Sequence, residues 1–151
     1  MRLLCITSYN TGGAFNGVAR FCESFSQLGH RVDFASLMNN NTSSFDKSYV
    51  YIGNRFLSKV TTGQGICSHG LYTGKLDPVD IDEYDGIILG WVADGFQSLI
   101  KLEIKVPVIW RLSDLWPILA CRHYTNGQYH RYSFAEKYLV RCKSEFFNKN
   151  T

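Results

Sequence analysis

The 151-residue sequence has no run of apolar residues near the ~20 that a membrane-spanning helix requires. Its apolar beginning, MRLLCIT, is too short and too strand-like for a secretory signal. The sequence also lacks a strong excess of charge, because its formal net charge is only +3. A dedicated nucleic-acid-binding domain is far more basic. We therefore expect a cytoplasmic domain that does not bind nucleic acid.

Paired cysteines and the commonest catalytic motifs are absent as well. The five cysteines are odd in number, and no two have Cys-x-x-Cys spacing. Cys5 in an apolar strand and Cys22 on an apolar helix face are expected to be buried, reduced thiols. There is no Walker loop, no serine nucleophile elbow and no His-Glu-x-x-His motif. Cys121 and His123 alone are weak evidence for zinc, so neither a metal nor a cofactor is expected.

What the sequence does contain is enough apolar material for a core, with 45% hydrophobic and 15% aromatic residues. We expect one domain over residues 1–151, in which strands and helices alternate. The predicted strands are RLLCITSY, RVDFASL, Gly86 to Leu89 and VPVIWRL. The predicted helices run from Gly17 to a C-cap at Gly29, over DKSYVYIGNRFLSKV, over ADGFQSLIKL, and from a capping box at Ser133 and Glu136. This alternation indicates a Rossmann-like, three-layer α/β/α fold with a mostly parallel sheet.

Three predicted strands run into unusual polar, glycine-rich or aromatic segments. These segments are SYNTGGAFNG, LGWVADGF and RLSDLWP. In a parallel sheet the carboxyl ends of the strands lie at one edge, where ligands bind. We therefore expect the three segments to line one cleft.

Gly12 and Gly13 lie in a predicted loop between the first strand and the first helix. Backbone N–H groups there can approach a phosphate, because no Cβ intervenes and a helix N-terminus is electropositive. The spacing is not that of the dinucleotide fingerprint, and a flexible turn that only connects the two elements explains the glycines equally well.

Asp114 follows the last predicted strand, between Arg111 and Trp116. A carboxylate at this place can accept a proton or hold a sugar hydroxyl. Taken alone, however, the residue fits a helix N-cap better, since Ser113 or Asp114 could cap a turn that Leu115 opens.

Tryptophan and histidine side chains add a second group of candidates. Trp91 and Trp116 are at strand exits and could stack on sugar faces, whereas Trp110 falls inside a strand and is expected in the core. His123 fits a cleft residue and an ordinary surface histidine equally. The basic and aromatic segment from Tyr49 to Val60 could touch an anionic membrane surface, although a solvated helix face is the favoured interpretation.

Taken together, these segments resemble a known family. LLCITSYNTGGAFNGVARFCESFSQLGHRVDFASL looks like the opening strand, Gly-Gly loop, helix and second strand of family 4-type GT-B glycosyltransferases of bacterial polysaccharide biosynthesis. DEYDGIILGWVADGFQSLIKL and VPVIWRLSDLWPILACRHY are similar to later segments of the same N-terminal half. The last is the most specific, since Asp-Leu-Trp-Pro with Cys-x-His-Tyr is an unusual combination.

The resemblance implies transfer of a sugar from a nucleotide-sugar to a glycan or lipid-linked acceptor, without a metal. It implies that Gly12 and Gly13 face the donor diphosphate and that Asp114 is the catalytic residue. Acceptor-binding residues would be Trp91, Arg111, Ser113, Trp116 and His123. Two positions depart from the family pattern: Ser113 and Gly90 stand where the family has histidines.

In such enzymes a second domain binds most of the donor, so we expect this chain to be a truncated, acceptor-side domain that needs a separate donor-binding domain or subunit. Its location would be cytoplasmic, with a peripheral contact at the inner membrane left open. The alternative is a non-catalytic module that binds a carbohydrate or a phosphorylated ligand. A flavodoxin-like or response-regulator-like domain is a weaker alternative, and the lack of an acidic cluster after the first strand argues against the latter.

Overall fold

The computed structural model describes residues 1–38, 48–52, 79–100 and 102–112, together with positions 76 and 148. Its sheet has four parallel strands in the order β2-β1-β3-β4. The strands are β1 (Arg2–Thr7), β2 (Arg31–Ser36), β3 (Gly86–Leu89) and β4 (Val108–Trp110). The helices are α1 (Gly12–Gln27), α2 (Phe96–Ile100) and a 3-10 helix at Ile81–Glu83, and residues 48–52 are also helical. The predicted α/β architecture with a parallel sheet is confirmed.

The strand β1 lies at the centre of the sheet and is covered on both faces. On one face of the sheet, Leu4 and Ile6 belong to the larger hydrophobic cluster, which also contains Phe96 of α2 and is called the α2-side cluster below. Cys5 points to the other face and packs with Val18 and Cys22 of α1 in a smaller cluster, called the α1-side cluster below. Side chains alternate across a strand, so a strand buried on both faces reads as one apolar run. This is why RLLCIT has no polar alternation, and it confirms the burial predicted for both cysteines.

The helix α1 begins at Gly12, so the prediction of a loop through Gly17 was wrong. Two glycines and an Asn-Gly pair disfavour a helix locally. Tertiary packing outweighs that preference, because Phe15 already contacts the α1-side cluster within the first turn. The predicted end is confirmed: α1 stops at Gln27, and Gly29 follows with a φ of +84°, the left-handed conformation typical of a helix terminus.

The second half of the sheet agrees with the predicted strands. β3 covers the predicted residues Gly86–Leu89, and β4 forms within VPVIWRL. The helix α2 occupies the middle of the predicted ADGFQSLIKL segment. The predicted helix that begins at Ser133 lies outside the described residues, as do positions 46–47 and 53–60 of the predicted helix over 46–60.

The amino edge of the sheet is closed by an ionic network around Arg2. Its guanidinium contacts Asp33 at 3.1 Å and Glu83, and it lies 4.5 Å from the ring centre of Tyr84. Burial opposes ionisation of Asp33, but hydrogen bonds from Arg31, Arg2 and Tyr84 outweigh it and lower the pKa of the carboxyl. Burial and the bond to Asp33 raise the pKa of the Tyr84 hydroxyl. The network joins β1, β2 and the 3-10 helix at this end.

None of the helices in the described ranges is both long enough and apolar enough to cross a membrane.

Candidate functional site at the carboxyl edge

The opposite, carboxyl edge of the sheet contains a topological switch point. From β1 the chain passes through α1 to β2 on one side, whereas β3 lies on the other side of β1. Connections therefore diverge at the ends of β1 and β3, and in open α/β sheets this divergence leaves a crevice for ligands. The three segments leave their strands at this one edge, as predicted, since Tyr9, Trp91 and Arg111 each follow a parallel strand there. That the segments line a common cleft stays a prediction.

Four polar residues at this edge have almost wholly buried side chains: Thr7, Ser8, Ser36 and Asp94. The hydroxyl of Ser36 donates to the Ser8 carbonyl at 2.9 Å, and that of Thr7 donates to the Tyr9 carbonyl at 2.8 Å. The hydroxyl of Ser8 donates to the Asp94 carbonyl. Buried polar groups must be paired, and the three hydroxyls all donate to carbonyls of the loops after β1 and β3. The loops after β1 and β3 are therefore held to each other and to the end of β2.

Tyr9, Trp91 and Asp94 form a compact group across the switch point. The Tyr9 hydroxyl donates a 2.9 Å hydrogen bond to the Asp94 carboxylate. The rings of Tyr9 and Trp91 stack with centroids 5.9 Å apart and planes 20° from parallel. Asp94 is buried, while Tyr9 and Trp91 are each half-buried and so remain partly open to solvent.

Sequence reasoning selected Trp91 but missed Tyr9 and Asp94. The two residues are 85 positions apart, and neither belongs to a recognised motif. A signal was present, since both fall in segments that follow buried parallel strands. Asp94 lies in the LGWVADGF segment that follows β3. The sequence does not show, however, that its carboxylate contacts the hydroxyl of Tyr9 in the segment after β1.

The absence of a side chain at Gly90 lets the end of β3 pack closely against β1 and α1, which positions Trp91 at the carboxyl edge. A Cβ on Gly90 would lie 2.7 Å from Cγ2 of Thr7 and 3.1 Å from Cγ1 of Val18. Real Cβ atoms do not show a contact as short as the first, and the second is unusually tight, so a side chain at position 90 would force Thr7 to move. A histidine, which the resembled family carries here, would not fit unless these neighbours moved.

Gly12 and Gly13 form the first turn of α1 rather than a loop. Gly12 has a φ of +89°, which favours glycine. Among the described residues, nothing lies within 4 Å of a Cβ built on either glycine. The first turn of α1 contains no acidic residue, and Thr11 makes no side-chain cap hydrogen bond. The space beside these two Cα atoms therefore contains no described side chain.

Arg111 lies on a different side of the sheet from the aromatic pair. Its backbone N–H continues the ladder by donating to the Leu89 carbonyl at 2.8 Å. Its guanidinium extends over α1 and reaches Gly17. The pKa of Cys22 is lowered by its hydrogen bond with Cys5 and, against burial, by the positive charge of Arg111. By contrast, Trp91 packs against the cluster on the α2 side.

Trp110 packs against the hydrophobic core, as predicted. It packs against the α2-side cluster, where its ring stacks on Phe96 with centroids 5.6 Å apart. Its indole N–H donates to the Gly90 carbonyl at 3.2 Å. Trp110 thereby supports the backbone that carries Trp91.

The remaining predicted site residues lie outside the described residues: Ser113, Asp114, Trp116 and His123. Their roles stay predictions. Within residues 1–38, 48–52, 79–100 and 102–112 no three His, Cys, Asp or Glu side chains are grouped as metal ligands. An open groove of about 560 Å³ lies on the flank of α1 beside Phe34 of β2, away from the switch point.

Comparisons with protein-family models, with curated proteins and with solved structures found no match to this chain.

Proposed function

We propose that this chain is the acceptor-side domain of a glycosyltransferase of the family 4 type, acting in polysaccharide biosynthesis. It would act with a donor-binding domain or subunit to transfer a sugar from a nucleotide-sugar to a glycan or lipid-linked acceptor. The observation that carries the proposal is the switch point, where aromatic and buried polar side chains from β1 and β3 meet beside the open N-terminus of α1. The sequence resemblance supplies the reaction class.

The donor side of the proposed site is the first turn of α1. Its first N–H groups have no partner within the helix, so together with the helix dipole they favour a negative charge, and Gly12 and Gly13 present no side chain that would keep a diphosphate away. In the reaction the bond between the sugar C1 and the phosphate oxygen breaks and the nucleoside diphosphate leaves. The acceptor oxygen forms the new bond to C1 and loses its proton.

The acceptor side would be built from the segments after β3 and β4. Asp114 would accept the hydroxyl proton, and Trp91, Arg111, Ser113, Trp116 and His123 would bind the acceptor. Trp91 and Arg111 follow neighbouring strands at the carboxyl edge but lie on opposite sides of the sheet, so an acceptor that contacts both would lie across the ends of β3 and β4.

A location at the inner membrane fits a lipid-linked acceptor. Within the helical residues 48–52, Tyr49, Tyr51 and Ile52 are more than half exposed. The sequence places Lys47, Arg55 and Lys59 around them. Aromatic and apolar side chains beside basic ones suit an anionic lipid surface, so we propose a peripheral contact there.

A non-catalytic carbohydrate- or phosphate-binding module is the second candidate. It is favoured by one observation: the contacts of Tyr9 with Trp91 and Asp94 form within this chain. Such a module would bind glycans saturably and would not need a donor-binding partner.

The two candidates are separated by measuring isotope transfer from labelled nucleotide-sugars, with the chain alone and with candidate donor-binding partners. We expect transfer only with a partner, and its loss in the variant Asp114→Asn. Robust turnover by the chain alone would contradict the need for a partner. Glycan binding without transfer in any combination would favour the binding module.

A further inference from the structure

We draw no further inference here: the strongest candidate, the open groove of about 560 Å³ on the flank of α1 beside Phe34 of β2, carries none, because nothing in the structure shows what covers it.

Discussion

The guanidinium of Arg111 crosses α1 so closely that its Nη2 atom is 3.2 Å from the position that a Cβ on Gly17 would occupy. The contact joins the end of β4 to the middle of α1. It also gives Gly17 a packing role in a helix interior, where glycine is otherwise unfavourable.

Replacing Gly17 with alanine brings two opposing effects. A helical Gly→Ala change stabilises by about 0.5–1 kcal/mol, while the new methyl group pushes on the flexible end of Arg111. We expect the free energy of unfolding to rise by about 0.5 kcal/mol in the wild type, and by the full helix-propensity gain of about 1 kcal/mol in an Arg111→Ala background. Urea denaturation of the double-mutant cycle measures both. An equal change in the two backgrounds would mean that Arg111 and Gly17 are not coupled.

An alanine at position 90 would instead place its methyl group against side chains that cannot easily move aside. Gly90→Ala places Cβ 2.7 Å from Thr7 and 3.1 Å from Val18, and both are β-branched. We expect a loss of about 1–3 kcal/mol in the free energy of unfolding, as for overpacked cores. Thr7→Ser removes the Cγ2 atom but keeps the hydroxyl that bonds to Tyr9, so it should recover part of the loss. Gly13→Ala, which meets no described atom within 4 Å, is the control and should change little.

The lowered pKa of Asp33 predicts an acid-sensitive amino edge. Because the folded pKa lies below the unfolded value of about 3.9, the stabilisation is complete above that value and is lost as the pH falls through the folded pKa. We expect wild type to exceed Asp33→Asn in free energy of unfolding at pH 6, with the difference shrinking in acid. Urea titrations over this pH range test it. In an Arg2→Gln background the difference should be smaller at every pH, and an unchanged difference would exclude Arg2 as a cause.

The thiol of Cys5 should be unreactive in the folded protein. It has no exposed surface, and its pKa is raised by the hydrogen bond with Cys22 and by burial, so the reactive thiolate is suppressed. Alkylation by iodoacetamide, followed by mass spectrometry, should modify Cys5 only as fast as the chain unfolds. Urea-unfolded protein is the positive control. Rapid alkylation under native conditions would show that β1 is not held in the core.

Several elements could be predicted because their signals are local. The bounds of β3 were predicted correctly, since Gly86–Leu89 is a short apolar run between an acidic segment and a Gly-Trp pair. The end of α1 was predicted from Gly29 for the same kind of reason. The start of α1 was missed because local preference favours a loop at Gly12 and Gly13, whereas the contact of Phe15 with residues distant in sequence favours a helix.

By itself, the sequence determined the alternation of buried strands and helices, the parallel sheet, and the arrival of Trp91 and Arg111 at its carboxyl edge, since apolar periodicity and chain direction decide these. Only the tertiary structure decided that Tyr9 meets Asp94 and stacks on Trp91, and that Arg111 turns away over α1. Those contacts depend on β1 and β3 being neighbours and on the missing side chain at Gly90. Strand order and close packing of this kind join residues far apart in the chain, and no local pattern encodes them.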